Sequence, residues 1–309
     1  MNERRRPTEQ ERKILLANRE YYCWKAAQVI KESDYFLLSI GAGFSADSGL
    51  PTFTNIADVP AYKKAGYTYP RLCDPSHFIE NPELAFGFWG KTYNDYITTT
   101  PHEGHQIIMN WRNEHYNYPP EDRRFFIYSS NIDGHPQKCG FSESEIFEIH
   151  GTMHYWQCSE GTDCPGMGVD SAERWKVPEG FLFEIDEETM LAAPEKQAVN
   201  EQLEQEQNEV LREAFRSNHP RCILCKQHYA RPNVLMFYDC DWVGNYVAKK
   251  NYTKWVNKME KNCDSEKGEK KIVILEIGCG TNVPSVRCRD EGNLRVYIES
   301  LLFLLIILS

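Results

Sequence analysis

The sequence lacks the long hydrophobic run that a membrane span requires. Its wholly apolar stretch at residues 301–308, LLFLLIIL, falls far short of the ~20 residues that cross a bilayer as a helix. It reads instead as a last buried strand or helix, and no membrane partner is expected. No apolar segment follows the opening MNERRRP, so the start is unlike a signal peptide. Positive charge is in deficit: 35 Lys and Arg stand against 45 Asp and Glu, a net charge of -10. Nonspecific nucleic-acid binding needs a basic face, and this balance argues against a direct nucleic-acid partner. The triplet Arg4, Arg5, Arg6 is too short for a nuclear signal and reads as a solvated terminus. No internal repeat is visible.

These absences give the 11 cysteines their meaning. Without a leader the chain is expected inside the cell, in the cytoplasm or the nucleus, where thiols stay reduced. Clustered cysteines are then metal ligands before they are disulfides. At 309 residues, 41% hydrophobic and 26% charged, the chain can bury one large domain, or a large one with a small companion.

Thr8 and Glu11 fit a capping box. They predict a helix to about residue 31, with Ile14, Leu15, Ala26, Val29 and Ile30 as its buried stripe. Residues 35–40, YFLLSI, read as a buried strand delivering a glycine-rich turn. Residues 54–101 are irregular and rich in aromatics, which predicts a helical insertion. Its Tyr62, Tyr69, Phe86, Trp89 and Tyr93 are read as core rather than as a cofactor box. A helix is expected at 105–111. Further buried strands are expected at 124–129, 145–149, 233–236 and 271–277, with a last one near 293–298. Strands alternating with helices indicate an α/β fold with a mostly parallel, doubly wound sheet. Residues 158–225 break that rhythm. Within them, residues 184–213 hold ten acidic and two basic side chains. That composition reads as a solvated helix or loop, with docking of basic protein tails as the alternative.

Five motifs carry chemistry. Gly41, Ala42, Gly43 and Ser45 form a glycine-rich turn after a strand, where exposed N–H groups suit phosphate oxygens. Asn131 and Asp133 end a second strand, placed either for a ligand or for a turn. His150 and Gly151 follow a third; an imidazole titrating near neutrality can take a proton there, though a structural histidine fits as well. Cys158 and Cys164 form a C-x5-C pair, and Cys222 and Cys225 a C-x2-C knuckle 57 residues further on. Four thiolates suit a closed tetrahedral zinc, and buried thiols acting as small hydrophobes are the alternative. Gly278, Gly280, Thr281 and Asn282 close a further strand, as a phosphate or ribose site or as a plain turn.

Taken in order, these stretches resemble the sirtuin family over roughly residues 35–298. GAGFSADSGLPTF is similar to its G-A-G-x-S-x-x-S-G-I-P-x-F, Asn131-Ile132-Asp133 to its N-I-D, and His150-Gly151 to its H-G. The cysteine pairs flank a zinc module as in the family. Arg231 to Asp239 resembles the substrate segment R-P-x-V-V-x-F-G-E, and Gly280-Thr281-Asn282 its G-T-S.

The resemblance implies a Rossmann-like domain that binds NAD, a small module that binds Zn2+, and an acylated lysine of a protein or peptide entering the cleft between them. It implies an NAD-dependent protein deacylase releasing nicotinamide, O-acyl-ADP-ribose and free lysine. By the same carry-over His150 is the base, Asn131 orders the ribose side or a water, and Asp133 grips the nicotinamide carboxamide. Ala42, Gly43, Ser45, Gly280, Thr281 and Asn282 hold phosphates and ribose, and Gly41, Pro51, Phe53 and Ser130 complete the cofactor set. The expected organisation is an N-terminal helix at 1–34 and a Rossmann-type domain from 35–54, 102–152 and 230–300. A helical insertion at 55–101, a zinc-binding module with an acidic insertion at 153–229 and an apolar tail at 301–309 complete it.

Four positions depart from the family pattern. Thr54 stands for Arg, Ser130 for Gln, His135-Pro136 for Leu-His, and Tyr238-Asp239 for Gly-Glu. Tyr238 is expected to narrow the substrate tunnel or to block strand-like pairing with a peptide. Two other readings therefore accompany deacylation: NAD hydrolysis or ADP-ribosylation, and a catalytically weak NAD-binding module.

Overall fold

The computed structural model describes residues 8–51, 58–168, 174–194, 208–263, 270–280, 286 and 302–306. Strand β1, Tyr35–Ile40, is buried along its whole length. That is why its sequence does not alternate, as expected for a strand covered on both faces. It lies at the centre of a five-stranded sheet with β2 (Phe125–Ser129), β3 (Ile146–Glu148), β7 (Ile272–Ile277) and β8 (Leu302–Ile306). The order is β3-β2-β1-β7-β8 and every pairing is parallel, with Phe36 set beside both Phe125 and Val273.

Successive side chains of β1 feed two cores. Phe36, Leu38 and Ile40 pack with Ile30, Ile108 and Met109 from the helices Arg19–Glu32 and Glu103–His115. Tyr35 and Leu37 join Tyr252, Trp255 and Met259 of the helix Tyr246–Cys263. The sheet is thus wound on both faces, as the alternation of elements predicts. Its order reverses between β1 and β7, and such a reversal opens a crevice at the carboxyl ends of the strands.

Strands β4 (Gly151–Cys158), β5 (Trp175–Lys176) and β6 (Ala230–Val234) make a second, antiparallel sheet in the order β5-β4-β6. The strand expected at 233–236 therefore falls at 230–234 and outside the parallel sheet. A short apolar run carries no record of which strand it will pair with. Gly151 decides the pairing here. Its φ is 79°, and a β-carbon on it would lie 2.0 Å from the Asn233 carbonyl oxygen of β6.

The helical insertion folds as Pro60–Lys64, Tyr69–Leu72, His77–Glu80 and Pro82–Thr98. Its Phe78, Phe86 and Tyr93 share one core with Trp156 of β4 and with Phe181, Phe183 and Phe215. At the N-terminus the Thr8 amide donates to Glu11 Oε2 (2.7 Å) and the Glu11 amide to Thr8 Oγ1 (3.3 Å), so the capping box is formed. Two helices follow in place of the single one expected, Glu9–Ala17 and Arg19–Glu32. Ile14 is 52% exposed rather than buried, and among the described side chains of these two helices burial begins at Ala26. The side chain of Leu15 and the strand expected near 293–298 lie outside the described residues. Among the described residues no helix is long and apolar enough to cross a membrane.

Candidate functional site

Three strand ends build the site. After β1 the chain passes Gly41 into the short helix Ala42–Ala46. The Gly41 amide donates to the Ile277 carbonyl and the Gly43 amide to the Gly278 carbonyl, each at 3.0 Å. A β-carbon on Gly41 would lie 2.6 Å from Gly278 O, and one on Gly43 2.8 Å from Gly278 Cα. These glycines therefore serve first to let the turns after β1 and β7 touch. Gly278 itself is held at φ 66°.

The turn after β2 locks onto the first. Asn131 Nδ2 donates to the Gly41 carbonyl (3.0 Å) and to Ser45 Oγ (2.9 Å). Ser45 Oγ donates in turn to Asp133 Oδ2 at 2.5 Å. Asp133 Oδ1 accepts from the His135 amide at 2.9 Å. Asn131 and Asp133 are 7% and 3% exposed, so this chain of bonds sits in a setting where breaking it is costly. A carboxylate offers about four lone-pair sites, which leaves Asp133 acceptor capacity for a ligand.

His150 lies between β3 and β4. Its Nδ1 is 3.1 Å from the Ser130 carbonyl oxygen. A carbonyl can only accept, so Nδ1 carries the proton and Nε2 presents a lone pair. Burial holds the ring below the usual histidine range, with the Ser130 bond as a smaller opposing effect. The imidazole is therefore neutral at pH 7 and able to accept a proton.

A cleft joins these groups. Ala42, Ser45, Pro51, Ser130, Asn131, Asp133 and His150 all line it. Gly41 and Gly43 pack behind it against Gly278. Gly280 stands in open space, where an added β-carbon would meet nothing within 4 Å. Phe53, Thr54, Thr281 and Asn282 lie outside the described residues. The cleft also touches Tyr69, Cys73, Trp89, Tyr96 and Phe237. Sequence reasoning assigns the aromatics of the insertion to the core alone, and nothing in their spacing separates a core ring from one that also walls a cleft.

Tyr238 does not narrow this cleft. It is 89% exposed, at φ 59°, and so adopts the left-handed backbone of a glycine position while its ring stays in solvent. Next to it, Asp239 receives both terminal nitrogens of Arg231 at 2.8 Å, with both side chains fully buried. Asp239 Oδ2 also accepts the Met236 amide at 3.2 Å, which anchors the segment that walls the cleft.

The sulfurs of Cys158, Cys164, Cys222 and Cys225 all lie within 4.8 Å of one another. The pairs Cys164–Cys222 and Cys158–Cys225 are 3.8 and 4.0 Å apart. Metal–sulfur bonds of about 2.3 Å in a tetrahedron put sulfurs ~3.8 Å apart, so the donor set fits zinc. The Leu224 amide donates to Cys222 Sγ at 3.3 Å, as in a knuckle built to hold a thiolate.

Residues 41–174 match the model of the Sir2 family, and over that stretch the chain is similar to it. It is 28% identical over 131 residues to an NAD-dependent protein deacylase of Daphnia pulex, covering 42% of this chain and 44% of that one. It is 30% identical over 118 residues to an NAD-dependent protein deacylase of Leptospira interrogans, covering 38% and 43%. The chain spans about half the length of the curated relatives it matches. Its fold is similar to that of a Sir2 homolog solved as an NAD complex, with a TM-score of 0.53 at 16% identity over 91% of this chain and 81% of that one.

Proposed function

We propose that the protein is an NAD-dependent protein lysine deacylase that yields nicotinamide, O-acyl-ADP-ribose and free lysine, and that it carries a structural Zn2+. The observation that carries this reading is His150, neutral, with Nδ1–H given to the Ser130 carbonyl and Nε2 left to accept a proton in the cleft. NAD hydrolysis alone needs no such base on the ribose side, whereas deacylation does. The relatives named as deacylases support the same assignment.

The cleft suits NAD because it lies at the carboxyl ends of β1 and β2 and combines Ser45, Ser130, Asn131 and Asp133. Bound NAD supplies a ribose carbon from which nicotinamide can leave. Asp133 holds the departing carboxamide. Asn131 fixes the glycine turn and the ribose side. His150 Nε2 takes the proton of a ribose hydroxyl. Ala42, Gly43 and Gly280 complete the phosphate and ribose contacts, Gly41 and Pro51 flank them, and Phe53, Thr281 and Asn282, outside the described residues, are assigned to the same cofactor set by the resemblance. Cys158, Cys164, Cys222 and Cys225 bind zinc away from this chemistry. The reading of the four clustered cysteines as metal ligands favours a location inside the cell.

The test is to give the purified protein NAD with and without an acetyl-lysine peptide and to identify products by mass spectrometry. O-acetyl-ADP-ribose formed only with peptide is the expected result. NAD consumed without peptide would replace deacylation by hydrolysis, and NAD binding without turnover would leave a binding module.

A further inference from the structure

The helix Pro82–Thr98, which helps to wall the cleft, has no basic residue in its last turn. The carbonyls that end a helix lack partners within it, and a cation there is favourable. Here the cation comes from elsewhere in the chain. Lys138 Nζ donates to the carbonyls of Tyr96, Ile97 and Thr99 at 2.6, 2.8 and 2.9 Å. An ammonium has three N–H donors, and all three are used. Such charge-assisted bonds are stronger than neutral ones.

Both ends of this clamp belong to the cleft. Lys138 closes the short helix His135–Lys138, its amide donating to the Gly134 carbonyl at 3.1 Å. Asp133 starts that turn, with Oδ1 accepting the His135 amide. On the other side, Trp89 and Tyr96 lie seven residues apart on one face of the long helix, and both line the cleft with Asp133. Burial, with the Asp133 charge as a smaller effect, raises the Tyr96 hydroxyl, so it stays uncharged. The middle of the helix is fixed separately by Asn94, which exchanges hydrogen bonds with the Phe183 backbone at 2.8 and 2.9 Å. Lys138 ties the C-terminal turn, and Tyr96 with it, to the turn of Asp133. It is not among the described residues that line the cleft, so it acts through Tyr96.

We propose that Lys138 is a positioning residue: it holds Tyr96 in register with Asp133, at the end of the cleft that takes the nicotinamide of NAD. The proposal rests on the deacylase reading for the place of the nicotinamide. The positioning itself can be tested by binding alone.

The experiment is calorimetric titration of the full chain, as purified with its metal, with NAD and with ADP-ribose, which lacks the nicotinamide. Lys138→Met keeps the length of the side chain and removes its charge and donors. It should weaken NAD binding roughly 3–10-fold, the net worth of one hydrogen bond, and ADP-ribose binding by less than about twofold. Because the readout is a ratio, a general loss of affinity does not imitate it. Lys138→Arg keeps a cation at the helix end, so its NAD affinity should lie closer to the wild type than to K138M. Equal losses for NAD and ADP-ribose overturn the proposal, as do an unchanged NAD affinity in K138M, a K138R no better than K138M, or a wild type that binds no NAD. If K138M does not fold, hydrogen exchange of the wild type decides. NAD should slow the amides of residues 89–99 more than ADP-ribose does, and equal slowing overturns the proposal. The expected ratio without O-acyl-ADP-ribose from NAD and an acetyl-lysine peptide would remove the deacylase reading and leave Lys138 its role.

Discussion

The amide of Gly43 donates to the carbonyl of Gly278 at 3.0 Å, joining the turn after β1 to the turn after β7. Neither residue has room for a side chain. A β-carbon on Gly278 would lie 2.0 Å from the Phe44 nitrogen, at a φ of 66° that only glycine adopts readily. Gly278→Ala should therefore destabilise the protein by about 2–4 kcal/mol. Gly280→Ala, which meets nothing within 4 Å, should change stability by less than ~0.5 kcal/mol. Urea unfolding of both variants checks the contrast; equal stabilities would contradict the contact.

His150→Gln keeps a polar side chain but removes the base. Deacylation should fall by about 10²–10⁴-fold, the usual worth of a general base. NAD affinity should change little, since Ser45, Asn131 and Asp133 form their hydrogen-bond chain without this ring. Steady-state rates and NAD titration together separate the two effects, and an unchanged rate would sink the assignment.

Elemental analysis should find zinc bound by the four cysteines, whose sulfurs lie within 4.8 Å of one another. Cys222→Ser should lose the metal and lower the melting temperature, because structural zinc contributes directly to folding. Protein as stable after zinc removal as before would contradict a structural role.

Tyr238 sits at φ 59° with its ring in solvent. A left-handed conformation costs a non-glycine residue about 1–2 kcal/mol, and glycine's greater freedom in the unfolded chain returns part of that. Tyr238→Gly should raise stability by roughly 0.5–1 kcal/mol, whereas Tyr238→Ala keeps the strain and should not. Denaturation midpoints of the two variants make the comparison.

Acidification should weaken the fold below the ordinary histidine range. Burial lowers His105 to about 3 and also depresses His135, His150 and His154. Below about pH 6.5 the unfolded chain binds protons that these folded rings refuse, so stability falls as pH falls. Glu148 acts oppositely. Burial, with the Asp133 charge, raises it to about 8, so its contribution declines as pH rises through that value. The four histidines outnumber it between pH 5 and 6.5, and unfolding there should take up protons. Urea midpoints measured across pH 5 to 8 check the slope.

Much of the fold is legible in the chain. YFLLSI and the run that forms β7 are apolar without alternation, and strands covered on both faces must be so. The glycine turn, Asn131, Asp133 and His150 each follow a strand, and parallel packing brings those strand ends to one side. By contrast, sequence pattern places 233–236 in the wrong sheet, because the apolar character of a short strand is the same whichever partner it takes. The same pattern puts Ile14 on a buried face, although it is exposed and burial among the described side chains begins at Ala26, since a helical stripe does not record where its covering ends.

The sequence by itself determined the motif set, the parallel sheet and the four metal-ligand candidates. Those depend on residue type and local spacing, which the chain states directly. Tertiary structure alone decided that Gly41 and Gly43 meet Gly278 and that the Tyr238 ring turns away from the cleft. It also decided that Trp89 and Tyr96 of the helical insertion help to wall the cleft. Each depends on how closely segments far apart in the chain approach.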